Sequence, residues 1–183
     1  MDVELISPTS VRIQVYEKAI AGYVEYLGHY LYFDKDGIVV ESSTEQIEGI
    51  PFVTGLHFDH VILHEKLPVE NDEIFRLILN ITQLLTKYNI ATDRIYFDAL
   101  ENITLYFGDA RVYLGTNEYI DEKINKLQYL LPKMQDLSGV LYMDKYKGEG
   151  GKFTFEKDKK GEIISEEDED NTDDEDSSQN KAE

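Results

Sequence analysis

Cysteine is absent from this 183-residue chain, and so is tryptophan. Without cysteine there is no disulfide, no thiol nucleophile and no cysteine-ligated zinc or iron–sulfur site. That fits a chain working outside a reducing compartment. Long apolar runs are missing too: no stretch of about 18 apolar residues occurs, and Met1 leads directly into Asp2–Ser7, so no transmembrane or secretory segment is visible. Cations are scarce, with 18 Lys and Arg against 37 Asp and Glu, a net charge of −19. Eleven of the acids and one lysine lie between Glu162 and Glu183, leaving the rest with 26 acids, 17 bases and a charge of −9. No basic stripe interrupts this acidic surface, which repels phosphate and argues against nucleic acid as a partner.

What is present is enough for one principal domain: 42% hydrophobic residues, with thirteen tyrosines and eight phenylalanines that suit sheets with amphipathic faces. "DVELI" and "SVRIQVYE" flank a Ser-Pro-Thr-Ser turn, and Val11, Ile13 and Val15 alternate with Arg12 and Gln14, predicting a β-hairpin. Strands continue through "AGYVEYLGHYLYFDKDGIVVES", with turns at Leu27–His29 and Asp34–Gly37; Tyr23, Tyr26, Tyr30 and Tyr32 are expected to pack across them. Gly49, Pro51 and Gly55 predict an interruption of the sheet. After Pro68, Ile74, Leu77, Ile78, Ile81, Leu85 and Tyr88 recur at helical spacing, with Asn71 or Asp72 as cap and Asn89 as stop. "RIYFDAL", "NITLYF" and "RVYLG" read as three strands, the last two joined at Gly108-Asp109. A second helix is expected from near Asn117, with Ile120, Ile124, Leu127 and Leu131 on one face, until Pro132 disturbs it. "GVLYMDKY" and "KFTFEKD", separated by "KGEGG", are the last strand candidates. The expected class is therefore α+β: an antiparallel or mixed β-sheet with two amphipathic helices on one face. From Gly161 to Glu183 the acidic run has little to bury, and is expected to be a disordered tail.

The chemistry-bearing candidates are few. "HFDHVILHE" carries His57, His60 and His64. In a strand His57 and His64 face opposite ways, with His60 and His64 about 13 Å apart; in a helix His60 and His64 meet at i, i+4. Only the helical case makes a metal site geometrically possible, and the zincin pattern H-E-x-x-H is absent. "EGGKF" has Tyr146 where a phosphate loop needs its first glycine and Phe153 where it needs Ser or Thr, and "DEDNTDDED" lacks the glycine turn of a calcium loop. Asn80-Ile81-Thr82 and Asn102-Ile103-Thr104 match glycosylation acceptors but fall inside predicted regular elements. No catalytic constellation emerges, and no cofactor is expected.

The order of motifs carries more. "SVRIQVYEKAIAGYVEYLGHYLYFDKDGIVVES", then "GIPFVTGL", two helices with "RVYLG" between them, and finally "GVLYMDKY" resemble the bacterial division proteins FtsQ/DivIB over residues 2–156. Val15, Glu17 and Ala21 fit the family's passage from its small POTRA domain into its β domain, although Ala19 or Ile20 replaces the usual proline. "DKDG" (34–37), "P-x-x-T-G" (51–55) and Gly115 also match, whereas Tyr142 stands where an acid is common. The resemblance implies three parts: residues 1–18 as the last two strands of a POTRA-like domain, 19–160 as the β domain, and 161–183 as a variable tail. It also implies that the cytoplasmic tail, single membrane span and most of the POTRA domain belong upstream of this chain.

By the same resemblance the protein is a non-enzymatic scaffold on the outer side of the bacterial cytoplasmic membrane, at the division septum. It binds FtsL and FtsB/DivIC and helps control septal peptidoglycan synthesis, and its membrane association comes only through the missing N-terminal anchor. In the family the C-terminal strand receives the FtsB/DivIC segment by strand addition. The expected partner-binding residues here are Val140, Leu141, Tyr142, Met143, Asp144, Lys145 and Tyr146, with Phe153 and Phe155 on the neighbouring strand. Strand periodicity places Tyr142, Asp144 and Tyr146 on one face and Leu141, Met143 and Lys145 on the other. On that basis a proline at Tyr142 or Met143 is expected to abolish binding, and Tyr146→Ala to weaken it in a folded domain. The alternatives are a metal-dependent enzyme using His57, His60 and His64, or a generic extracellular adaptor of the same fold.

The tail permits a first test. Its charge acts only within a Debye length, about 8 Å at physiological salt, and it offers little apolar area against its ordering entropy. Removing residues 162–183 is expected to leave the thermal transition unchanged. A fall of more than roughly 4 °C, which is about 1 kcal/mol for a domain of this size, would show that the tail packs on the body.

Overall fold

The computed structural model describes residues 2–7, 10–14, 19–148 and 153–158; the predicted tail lies outside them. The expected hairpin is present as β1 (Asp2–Ser7) and β2 (Ser10–Gln14), an antiparallel pair forming its own two-stranded sheet. The remaining strands make one nine-stranded sheet. In chain order they are β3 (Ile20–Tyr26), β4 (His29–Asp34), β5 (Val39–Ser43), β6 (Phe52–Thr54), β7 (Arg94–Phe97), β8 (Ile103–Phe107), β9 (Ala110–Gly115), β10 (Gly139–Tyr142) and β11 (Thr154–Lys157). Across the sheet the order is β11-β10-β9-β8-β7-β6-β3-β4-β5. Helix α1 (Glu73–Lys87) links β6 to β7, and α2 (Ile120–Met134) links β9 to β10. The class is α+β with a mixed sheet, as the sequence predicts.

Both helices lie on one face for a topological reason. β6 and β7 are parallel neighbours, and so are β9 and β10; both pairs run the same way, and both crossovers step toward β11. Crossovers of one handedness that step in one direction must lie on the same side of the sheet. The side chains agree. Val24, Leu31, Phe33, Val53, Ile95, Leu105, Val112 and Leu141 point to the helix side and share one core with Ile74, Phe75, Ile78 and Ile81 of α1 and Ile124 and Leu127 of α2. The rings of Phe33 and Phe75 meet edge-on at 5.4 Å.

One local expectation needs correction, and two gain detail. The sheet is not interrupted at Gly49–Gly55: β6 sits near its centre, between β3 and β7. A strand of three residues suffices there because both flanks are paired, and Pro51 contributes only its carbonyl, which accepts the Tyr23 N–H at 3.1 Å. Pro132 does not end α2, which runs on to Met134. The proline removes one hydrogen bond in the last turn, while Met134, buried in the core, holds that turn in place. Of the two cap candidates at the start of α1, Asn71 serves: its side-chain carbonyl oxygen accepts the Glu73 N–H at 3.1 Å, while the side chain of Asp72 makes no cap bond.

Candidate functional site

The histidines come first, because they carry the enzymatic alternative. Residues 57–65 are neither helix nor strand. They run irregularly to the start of β5, where the His64 N–H bonds the Val39 carbonyl (2.8 Å) and the Val39 N–H bonds the Glu65 carbonyl (2.9 Å). His57, His60 and His64 are all exposed, and no group of three or more His, Asp or Glu side chains among the described residues is arranged to hold a metal ion. Purified protein is therefore expected to carry no stoichiometric Zn²⁺, Ni²⁺ or Mn²⁺, and a chelator to leave its melting temperature unchanged. A stoichiometric, tightly held metal on elemental analysis would revive the enzymatic alternative.

The segment that disposes of the histidines also covers one sheet margin. Ile38 bridges to Lys66 and Val39 bonds to residues 64 and 65, so the outer side of β5 is paired where it begins. The opposite margin is different. β10 pairs with β9 on one side and β11 on the other, so it is an interior strand, and the open edge belongs to β11. Nothing among the described residues bonds to the outer side of β11.

The direction of each backbone group along that edge follows from the ladder. In an antiparallel pair, residues alternate between exchanging both hydrogen bonds with the residue opposite and turning both groups away. The Asp158 N–H donates to the Ser138 carbonyl at 3.1 Å, which fixes the phase. Val140 and Glu156, and Tyr142 and Thr154, are then bonded pairs, while Gly139 and Lys157, and Leu141 and Phe155, are not. The odd residues of β10 turn instead to β9: Gly139 donates to Asp109 at 3.3 Å and Met143 to Tyr113 at 2.8 Å. On β11 it is therefore the N–H and C=O groups of Phe155 and Lys157 that point outward, with no hydrogen-bond partner among the described residues.

The nine sequence-predicted contact residues divide accordingly. Leu141, Met143 and Tyr146 are buried, Val140, Tyr142, Phe153 and Phe155 are half-buried, and Asp144 and Lys145 are exposed. Strand alternation stops at Tyr142, where the chain turns, so Tyr146 does not share a face with Tyr142 and Asp144 as strand periodicity predicts. Its ring packs between Tyr119 (6.0 Å) and Phe153 (5.6 Å), with Lys126 over it, and so pins the β10–β11 connection to the start of α2. Tyr146→Ala is thus a packing change, and a proline at Met143 breaks the bond to β9. Each substitution therefore carries a cost to the fold beside the effect on binding that was expected.

On the face away from the helices, register aligns Tyr113 of β9, Tyr142 of β10 and Thr154 of β11 in one row running out to the open edge. The two tyrosine rings meet edge-on at 6.0 Å. With Asp144, Lys145 and Glu156 they line a groove of about 370 Å³. Burial pushes the Tyr113 phenol above its ordinary value, and the charges of Asp98 and Asp144 add to the shift. Farther from the edge the same face closes. Tyr23 stacks on Phe52 at 5.1 Å, the Arg94 guanidinium lies 3.8 Å from the Tyr106 ring centre, and the Tyr32 hydroxyl accepts the Ile47 N–H at 2.7 Å, drawing the segment after β5 over the sheet.

No protein-family model matches the chain, and no curated protein does. One functional-site neighbour was invisible in the sequence. Lys123, on the inner face of α2, is buried and donates to the carbonyls of Leu114 (2.7 Å) and Thr116 (3.2 Å). Burial pushes its pKa down, against the charges of Asp144 and Glu118. It ties α2 to the end of β9, beside the groove. A lysine at helical spacing between Ile120 and Leu127 was the only signal.

Proposed function

We propose that this chain is a non-enzymatic scaffold of the bacterial division site, of the FtsQ/DivIB kind. It takes an extended segment of an FtsB/DivIC-like protein, acting together with FtsL, as an added strand on β11. In this way it takes part in the control of septal peptidoglycan synthesis outside the cytoplasmic membrane.

One observation carries the reading: among the described residues, the last strand of the sheet presents an unpaired edge. An open edge invites aggregation unless a partner uses it or charges blunt it. β11 is short, and its backbone donors at Phe155 and Lys157 stand ready for a ladder, as strand addition requires. The resemblance over residues 2–156 supplies the identity of the partner; the edge supplies a means of binding it. Among the described residues no helix is long and apolar enough to cross a membrane.

The test is a titration of the full chain with the extracytoplasmic segment of the FtsB/DivIC-like protein from the same organism. Saturable binding that survives removal of residues 162–183 is the expected result. No binding at concentrations where the segment itself is soluble and the chain is folded by circular dichroism would remove the reading.

A further inference from the structure

The groove beside the edge selects what the added strand can carry. Because Phe155 and Lys157 hold the outward hydrogen bonds, residues of a strand added antiparallel to β11 that lie opposite Thr154 and Glu156 occupy non-bonded pairs, where side chains approach most closely. These residues project to the helix-free face, on the same side as Thr154, Tyr142 and Tyr113. Thr154 is small and exposed, so a long side chain opposite it can pass over the threonine. Adjacent strands are about 4.8 Å apart, which brings the end of such a chain over the Tyr142 ring. Two carboxylates, Asp144 and Glu156, line the groove, and neither makes an ion pair with any described residue. Lys145 is the single cation lining it; Lys123, buried on the inner face of α2, bonds the carbonyls of Leu114 and Thr116 and is the one other cation among the described residues that feels the Asp144 charge, so Glu156 is the carboxylate left most open to a ligand. Aromatic faces with adjacent carboxylates favour a planar cation, and arginine over lysine.

We propose that the segment added to β11 carries an arginine opposite Thr154, whose guanidinium crosses that residue, stacks on Tyr142 and Tyr113, and meets the carboxylates of Glu156 and Asp144. This sets the register of the added strand, since moving it by one residue turns the arginine to the other face.

The inference rests on the strand-addition reading, and its test separates the two. The probe is the same extracytoplasmic segment, synthesised with each arginine replaced in turn by citrulline, which keeps the shape and removes the charge. Against the full chain, one citrulline position is expected to lose about tenfold in affinity. Tyr142→Leu is expected to lose about as much and to abolish the difference between arginine and citrulline at that position, while Tyr142→Phe retains most of the affinity. Glu156→Gln is expected to weaken binding roughly three- to tenfold. If Lys157→Pro abolishes binding while Tyr142→Leu and Glu156→Gln bind at full affinity, the arginine groove is wrong and the edge stands. The groove is equally wrong if the segment binds the edge with no arginine opposite Thr154. If the folded Lys157→Pro protein binds at full affinity, both fall together.

Discussion

Lys157→Pro is expected to cost at least about tenfold in affinity for the extended segment, and up to a hundredfold, without moving the melting transition. The direction of one N–H bond separates this substitution from its neighbours. Lys157 is exposed and lies opposite Gly139 in a non-bonded pair, so its N–H takes no part in the ladder that holds β11 to β10. Proline is tolerated on an edge strand when the missing donor faces solvent. An added strand, however, loses that donor, keeps an unsatisfied carbonyl and meets the pyrrolidine ring. A proline at Met143 is the informative contrast. It removes the bond to the Tyr113 carbonyl inside the sheet, and should lower binding and stability together. Thermal melts and segment titrations on both variants decide the matter. Full affinity in a folded Lys157→Pro protein would move the site elsewhere.

Gly55→Ala is expected to be the most damaging small substitution, lowering stability by more than about 3 kcal/mol and the melting temperature by roughly 6–12 °C. Gly55 follows β6 at φ +87°, and a β-carbon built there would overlap the carbonyl oxygen of Phe97 on β7. That carbonyl belongs to the sheet and cannot swing aside as a flexible side chain can. Gly28, in the β3–β4 turn, isolates the steric part: it has φ +77° but no atom within 4 Å of its added β-carbon. Gly28→Ala is expected to cost only the left-handed backbone term, about 1–2 kcal/mol. Equal losses at the two positions, measured by thermal or urea unfolding, would contradict this account of Gly55.

The same residues show which parts of the molecule were legible in the sequence. Asp34–Gly37 reads as a turn and is one, for a visible reason. The Asp34 carboxylate accepts the N–H groups of Asp36 and Ile38, each at 3.0 Å, a local arrangement that sequence can encode. Helix α1 is equally local: Ile74, Ile78, Ile81 and Leu85, picked by spacing alone, are all buried. It follows that the "DKDG" and "P-x-x-T-G" matches, which carry much of the family resemblance, are positions that the backbone itself requires. They speak to the fold more than to the partner.

What sequence did not reveal depends on contacts between distant residues. β6 reads as an interruption because its role comes from β3 and β7, some thirty to forty residues away on either side. The contact was expected on "GVLYMDKY" and its neighbour "KFTFE" together, but which of the two is outermost depends on the whole sheet order, and that places β10 inside and β11 outside. Periodicity likewise carried the strand past Tyr142, although Tyr146 is held by Tyr119 and Phe153 rather than by a ladder. The row of Tyr113, Tyr142 and Thr154 exists only in register. The histidines posed the opposite problem: close in sequence, they lie on an irregular segment and form no metal-holding group among the described residues.

Amide hydrogen exchange, resolved by residue, tests the central claim most directly. In the free chain, the N–H groups of Phe155 and Lys157 should exchange quickly, and those of Glu156 and Asp158, bonded to β10, more slowly. On saturation with the extracytoplasmic segment, strand addition predicts strong new protection at Phe155 and Lys157, with little change at Glu156 and Asp158. A saturated complex in which Phe155 and Lys157 still exchange as fast as in the free chain would contradict it.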